Sequence, residues 1–360
     1  MRSIKFIISG GGTGGHIYPA LAIASGIKDN YKNPEILFVG ARGKMEMDRI
    51  PKEGFPIKGL WISGFKRSLS LSNLLFPLKL IISLLHSLLI ILRFKPHMVI
   101  GTGGFASGPL LQVAAWLNYP TLIQEQNSYP GITNRILSKK VDRICVAFDN
   151  MEKFFPKSKI KITGNPVRDY LINLKPNKIS RQFFDLDINK KTLVVIGGSL
   201  GSKSINNLIK SELEYITSFG LQIIWQCGTI YYKSLKILNS KVVLIKPYIY
   251  EMRHLYSVAD FIISRAGAGS ISELSCVAKP SLLIPSPNVS ENHQWHNANV
   301  LAKKNAVLLV KEEELKKKFR SLFLQLVSDK KKQKELKKNL KSFALPNATK
   351  KIVEEIKELL

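Results

Sequence analysis

The stretch Ile8–Pro19, ISGGGTGGHIYP, places five glycines in six positions and follows them with a histidine and, three residues later, a proline. The apolar run IKFIIS (4–9) leads into it and a helical pattern leaves it. A strand that enters bare glycine backbone and then a helix is the first turn of a doubly wound sheet. Glycine lets the backbone approach a phosphate closely, and the helix N-terminus behind it offers unpaired N–H groups and a partial positive charge. The pattern returns as VIGTGGFASGP (99–109), VVIGGSLGSKS (194–204) and FIISRAGAGSISE (261–273). With two such turns in each half, all four loops would emerge at the carboxyl ends of parallel strands, where open α/β sheets bind their ligands.

Outward from these loops, short apolar runs alternate with helical stretches. Strands are expected at EILFVG (35–40), HMVIG (97–101), TLIQ (121–124), RICVAF (143–148), LQIIWQC (221–227), VVLIKPY (242–248), DFIIS (260–264) and SLLIP (281–285), with TLVVIGG (192–198) opening the second half. Such alternation predicts an α/β fold, two doubly wound domains with parallel sheets facing each other across a cleft, joined near TGNPVR (163–168). The end, PNATKKIVEEIKELL, carries apolar residues at 352, 353, 356, 359 and 360, an amphipathic helix that must dock on something. The expected division is 1–163 and 164–345, with 346–360 packing back on the first domain.

The chain's 360 residues, 45% of them hydrophobic, suffice for a core in each of two domains. Cys145, Cys227 and Cys276 are odd in number and widely spaced, which fits a reducing cytoplasm. The apolar run after the basic start is too short for a secretory signal. A balance of 54 Lys and Arg against 26 Asp and Glu, net +28, favours anionic partners: nucleic acid, an anionic bilayer or phosphorylated substrates. Much of the surplus lies between Lys311 and Lys341, where only Phe319 and Phe323 interrupt the charges; that is the pattern of a solvated helix face rather than of a base-stacking surface, so no nucleic-acid partner is expected.

Gly10, Gly12 and Gly15 formally match a dinucleotide fingerprint. The fingerprint also expects an acid at the end of the second strand to hold a ribose, and Gly40, Ala41 and Arg42 supply none. His16, at the loop mouth, suits contact with a reacting hydroxyl or an anion; it could also simply cap the helix. In the fourth loop, Gly267 to Ser270 lead into a helix bearing Glu273, a carboxylate placed either to grip two ribose hydroxyls or merely to favour a helix N-terminus. His293 and His296 have helical spacing but no evident third ligand, and FDLD (184–187) lies in a polar lead-in, so no metal is expected.

Taken together and in order, GGTGGHIYP, GTGGFASGP, EQN (125–127), TGNPVR, GGSLGS, RAGAGSISE and HQWHNA resemble the MurG-type N-acetylglucosaminyltransferases of peptidoglycan synthesis, from Ile4 to about Lys350. The resemblance implies a GT-B fold of two facing Rossmann-like domains and a cofactor-free, metal-independent, inverting transfer. N-acetylglucosamine would pass from UDP-GlcNAc to the C4 hydroxyl of MurNAc in undecaprenyl-diphospho-MurNAc-pentapeptide (lipid I), forming lipid II. It further implies a second domain that binds the donor: Ser199, Ala268, Gly269 and Ser270 at the diphosphate, Glu273 at the ribose, Ile249 at the uracil through its backbone, Arg168 near the nucleotide, and His293, Gln294 and Asn127 at the sugar. The first-domain loops, Gly11, Gly12, Thr13, Gly14 and Gly15 with Gly103 and Gly104, would receive the acceptor's diphosphate, Thr13, Gly14 and Gly15 also lying against the donor. Phe105, Gln124 and Leu200 stand where the family commonly has tyrosine, histidine and glutamine.

Inverting transfer needs a base for the acceptor hydroxyl and stabilisation of the departing UDP. His16 is the first candidate for the base and Glu125 the second, while loop N–H groups at 266–270 can meet the leaving charge. A lipid acceptor requires a membrane contact, at the cytoplasmic face of the inner membrane and peripheral, with cell-wall synthesis and division proteins as possible partners. LLFPLKLIISLLHSLLIIL (74–92) has 14 Leu, Ile or Phe in 19 positions. Lying between two strands of one sheet it must cover that sheet, so it is expected to pack one side on the protein and dip another into lipid. Lys66, Arg67, Lys79, Arg93 and Lys95 lie near enough to attract anionic headgroups.

Overall fold

The computed structural model describes residues 3–64, 75–172 and 174–360. The chain divides into two compact units, Met1–Val167 with Asn347–Leu360, and Arg168–Pro346. In the first unit, strands β1 (Lys5–Gly10), β2 (Glu35–Ala41), β3 (Ile57–Leu60), β4 (Met98–Gly103), β5 (Thr121–Glu125), β6 (Arg143–Val146) and β7 (Ile160–Ile162) form a seven-stranded sheet in the order β3-β2-β1-β4-β5-β6-β7. In the second, β8 (Thr192–Ile196), β9 (Gln222–Gln226), β10 (Val243–Lys246), β11 (Phe261–Ser264), β12 (Ser281–Leu283) and β13 (Leu308–Leu309) take the order β10-β9-β8-β11-β12-β13. Every neighbouring pair is parallel.

Central strands are continuous apolar runs because helices cover both faces of a parallel sheet. Phe6, Ile7 and Ile8 of β1 and Leu193, Val194 and Val195 of β8 are all fully buried. Three strands were not expected from sequence, β3, β7 and β13, and each is an edge. A strand paired on one side only can be short and half polar, as IKGL, IKI and LL are, and so carries too little periodicity to recognise. In each sheet the strand order reverses between the first strand and the fourth, at β1/β4 and β8/β11. The four glycine loops follow these four strands, so each unit presents a pair of loops at its own switch point.

The C-terminal helix Ala348–Leu359 belongs to the first unit. It buries Ala348, Ile352, Val353 and Ile356 against the helix Gly14–Asn30, where Gly26 admits it: a Cβ there would lie 2.6 Å from Thr349 Cγ2. Arg143 of β6 also donates to Glu355 of this helix at 2.7 Å. The lysine-rich tract forms the helices Leu315–Ser328 and Lys330–Lys341, whose Phe319, Phe323, Leu326, Leu336 and Leu340 turn into the core and leave the charges outside. Its two aromatics are therefore unavailable for stacking on bases.

The long apolar segment is the helix Phe76–Phe94; Leu74, Lys66 and Arg67 lie outside the described residues. Its inward face is unexpectedly polar. Ser83 and Ser87 are buried with Ile90 and Ile91, Ser83 Oγ donates to the carbonyl of Trp61 at 3.1 Å, and Lys79 Nζ reaches Ser63 Oγ at 3.1 Å. Leu78, Ile81, Ile82, Leu85, Leu89 and Leu92 are left 37–58% exposed. The helix is long and apolar enough to cross a membrane by length and composition, but it is the crossover between β3 and β4.

Replacing Ile352 by alanine should cost about 2–4 kcal/mol, the usual penalty for truncating a fully buried isoleucine. Urea titration followed by a probe in the first unit measures it, and a loss below about 1 kcal/mol would mean that the terminal helix contributes little to that core.

Candidate active site

In the first unit the two loops are laid directly on each other. Gly11 N–H donates to the carbonyl of Gly103 at 3.3 Å, and Thr102 Oγ1 donates to the main-chain carbonyl of His16 at 2.8 Å. His16 Nδ1 lies 2.8 Å from the carbonyl of Gly11. A carbonyl can only accept, so Nδ1 carries the proton and the lone pair of the neutral ring sits on Nε2. The ring packs over Gly103, where a Cβ would lie 2.9 Å from His16 Cδ2, and the φ of +103° there also favours glycine. Behind His16, the first-turn N–H groups of Gly14 and Gly15 have no carbonyl one turn back to bond. Gly12 N–H, by contrast, is taken by Glu46 Oε2 at 2.8 Å.

Glu125 ends β5 and is only 2% exposed. Its Oε1 accepts from the main-chain and side-chain nitrogens of Asn127 at 3.0 and 3.1 Å, and its Oε2 from Gly131 N–H at 3.2 Å and Asn134 Nδ2 at 2.8 Å. Four donors occupy the four lone-pair positions of a carboxylate. Glu125 thus ties the loop that carries Asn127 to the helix Ile132–Leu137 that carries Asn134.

In the second unit, the helix Ala268–Val277 starts at Gly267 with Ala268, Gly269 and Ser270 in its first turn, and Ser199 stands exposed in the neighbouring loop after β8. One turn on, Glu273 Oε1 pairs with Arg168 NH1 at 3.3 Å and Oε2 accepts from Tyr256 Oη at 3.0 Å. Burial pushes the Glu273 carboxyl above the usual carboxylate range, with Arg168 and Tyr256 pulling it back. Burial, then the charge of Glu273, push the Tyr256 phenol well above its ordinary value, so it stays a donor. Gln294 Oε1 accepts from Ala266 N–H at 3.3 Å and Ser286 N–H at 2.9 Å, turning its NH₂ group away from both. His293 Nδ1–H donates to the carbonyl of Ser290 at 2.7 Å. Ile249 N–H donates to Gln226 Oε1 at 2.9 Å, which leaves its carbonyl as the backbone group for a base.

Comparison with known proteins now decides the family. Residues 6–146 match the N-terminal domain of glycosyltransferase family 28 and residues 192–352 its C-terminal domain. The chain belongs to glycosyltransferase family 28. A relative from Flavobacterium psychrophilum is 52% identical over 100% of this chain and 99% of its own length. One from Christiangramia forsetii is 51% identical over 100% and 98%. Both are named UDP-N-acetylglucosamine–N-acetylmuramyl-(pentapeptide) pyrophosphoryl-undecaprenol N-acetylglucosamine transferase. The crystal structure of Acinetobacter baumannii MurG superposes with a TM-score of 0.78 at 25% identity, covering 99% of this chain and 100% of that one. The fold is GT-B.

Within this family 28 chain, His16, Gly11 to Gly15, Gly103 and Gly104 gather at the first unit's switch point, with Glu125 and Asn127 at the end of β5 next to β4. Ser199, Ala268, Gly269 and Ser270 gather at the second switch point, Arg168 and Glu273 in one ion pair, and Gln294, from the helix His293–Ala302, is bonded to Ala266 of the loop after β11. Sequence reasoning missed Glu46, Tyr256, Gln226 and Arg265. Gln226 joins the loop after β8 to the Ile249 segment through Gly198 O at 3.1 Å and Ile249 N–H. Arg265 donates to Ser204 Oγ at 3.0 Å and Ile284 O at 3.0 Å and pairs with Glu312, fastening three loops. Polar residues at strand ends are the one signal that marks Gln226 and Arg265 beforehand.

A carboxyl whose pKa is raised by folding stabilises the fold below its unfolded value and loses that contribution as pH rises through the folded one. Glu273→Gln should therefore melt progressively higher relative to the parent as pH goes from about 4 to about 7. Paired thermal melts across that range check the sign; a relative loss with rising pH would show that the Arg168 pair outweighs burial.

Proposed function

We propose that this enzyme transfers N-acetylglucosamine from UDP-GlcNAc to the C4 hydroxyl of MurNAc in undecaprenyl-diphospho-MurNAc-pentapeptide, giving lipid II with inversion at the anomeric carbon. The observation that carries the reading is the pairing, in the second unit, of an open helix start at Gly267–Ser270 with a carboxylate one turn on, Glu273, whose side chain is only 16% exposed. A nucleoside diphosphate needs these two groups: N–H donors for the phosphates and an acceptor for ribose hydroxyls. Relatives half identical along the whole chain are named for this transfer.

In this reading the second unit binds the donor. Gly269 and Ser270 N–H groups, with Ser199, hold the diphosphate; Glu273, aimed by Arg168 and Tyr256, accepts from the ribose; the carbonyl of Ile249 accepts from the uracil imide. The NH₂ of Gln294 and the ring of His293 face the sugar. The first unit takes the acceptor, with its diphosphate at the first-turn N–H groups of Gly14 and Gly15. Transfer forms a bond from the acceptor's C4 oxygen to the anomeric carbon as the bond to UDP breaks. His16 Nε2 takes the hydroxyl proton, its ring held in the required tautomer by Gly11 O. Glu125, whose lone pairs are engaged, serves better as the scaffold of Asn127. Charge on departing UDP is met by the helix at Ala268.

The membrane contact is the helix Phe76–Phe94. A helix that buries serines and exposes leucines along one face is suited to a hydrocarbon surface rather than to water. Exposed Trp116 ends the helix packed beside it. His86 is pushed below its ordinary pKa first by burial and then by the nearby Arg42, Lys58 and Arg93, so cations lie beside this helix, where they can attract anionic headgroups.

Radiolabelled UDP-GlcNAc incubated with a lipid I analogue tests the activity; no labelled disaccharide product would refute it. Glu273→Ala should weaken UDP binding by about 1.5–3 kcal/mol, the scale of hydrogen bonds to a charged group. His16→Ala should lower kcat by roughly 10² to 10⁴ with UDP affinity intact, and a loss of UDP binding instead would put the donor in the wrong unit. Serine at Leu85 and Leu89 should reduce binding to vesicles of anionic lipid and cut turnover of a polyprenyl acceptor far more than of a short-chain one. Equal losses on both acceptors would remove the helix from the membrane contact.

A further inference from the structure

The loop Gly10–Gly15 rests on a buried negative charge that the reaction as described does not use. Glu46, in the first turn of the helix Met45–Lys52, is fully buried. Its Oε2 accepts from Gly12 N–H at 2.8 Å and its Oε1 from Ala41 N–H at 3.0 Å. One carboxylate therefore ties the end of β2 to the loop after β1. The surrounding glycines make the room: a Cβ on Gly11 would lie 2.1 Å from Glu46 Oε1, and one on Gly40 would lie 2.5 Å from Glu46 Cγ. A dinucleotide-binding sheet holds its ribose acid at this same strand end. Here the acid arrives from the following helix and is occupied by backbone.

We propose that Glu46 is the positioning residue of the acceptor loop, fixing Gly11 and Gly12 so that the His16 imidazole and the N–H groups left for the acceptor's phosphates are held in one arrangement. The proposal rests on the reading that the first unit takes the pyrophosphoryl acceptor. Contacts run without a break from the carboxylate to the base. Glu46 holds Gly12, the adjacent Gly11 donates to Gly103 O at 3.3 Å, and Gly11 O receives His16 Nδ1–H at 2.8 Å. If Gly11 moves, the ring that bonds its carbonyl moves as well. The carboxylate also selects the anion's place. It saturates Gly12 N–H and sets a negative charge behind that point, so a phosphate is directed to Gly14 and Gly15, beyond Gly12 in the chain at the start of the helix. Because an ionised carboxylate only accepts, it suits two converging N–H groups; a glutamine in its place must turn an NH₂ toward one of them.

The test is Glu46→Gln in the full-length enzyme, with UDP binding, thermal melting and transfer kinetics for donor and acceptor measured in parallel. Misplacing a reacting group by about 1 Å costs on the order of 100-fold, so kcat/KM for the lipid I analogue should fall by about that factor. UDP Kd should stay within about twofold, since the proposed nucleotide groups, Ser199, Ile249, Gly269, Ser270 and Glu273, lie in the other unit. Gly40→Ala, damaging in the parent, should be far less so when Glu46→Ala has vacated the space its Cβ needs. Should Glu46→Gln not fold, Glu46→Asp replaces it with the same expectation, since the shorter carboxylate cannot reach both N–H groups. Unchanged acceptor kinetics in a less stable variant would reduce Glu46 to a structural acid and overturn the proposal. So would equal losses on donor and acceptor. A wild-type enzyme that fails to transfer at all would instead bring down the functional reading, and this proposal with it.

Discussion

A parallel strand can follow another only if the chain crosses back over the sheet, and each crossover sets a strand's carboxyl end and the next helix's N-terminus side by side. In this chain that constraint operates twice. In each sheet the winding reverses between the first and fourth strands, at β1/β4 and at β8/β11, so the chain leaves the two strand ends toward opposite faces and a crevice opens beyond them. All four strand ends concerned run into a glycine-bearing loop. Fold and chemistry are joined at these turns: the backbone is bare where helices aim their free N–H groups.

The two units use the shared geometry differently. In the second, the helix after β11 keeps its first-turn donors open and carries its acid one turn in, where Arg168 and Tyr256 hold it. In the first, a loop donor is already bound to a buried carboxylate, the two loops bond each other, and the distinctive group is an imidazole with Nε2 as its lone-pair nitrogen. In the proposed function one crevice holds phosphate and ribose and the other holds a proton acceptor in place. That asymmetry is what a transferase needs, since activated donor and nucleophile make different demands on their sites.

The exposed face of the helix Phe76–Phe94 follows from the same constraint. A crossover helix must cover its sheet, yet this one does so through Ser83, Ser87, Ile90 and Ile91, leaving its larger side chains outward. Water alone would select the opposite arrangement. In the proposed membrane contact, hydrocarbon gives the leucines an environment in which they are favourable.

Much of this was legible in the residues themselves. Apolar runs broken by glycine, repeated along the chain, determine parallel strands feeding helices, because local periodicity and the absence of a Cβ act within a few residues. The places of His16, Glu273 and the loop glycines at strand-to-helix turns were legible for that reason, and ordered motifs carried the family. What the residues could not settle is which groups face each other across the fold. The edge strands β3, β7 and β13 exist because a neighbour offers one free side to pair with. Glu46 lies past the end of β2 and looks like an ordinary helix acid, yet tertiary packing brings it beneath Gly12. Glu125, a candidate base by type, is surrounded by four donors that only folding assembles. Sequence determines which groups a site can use, whereas the long-range return of the chain decides which of those groups are already engaged.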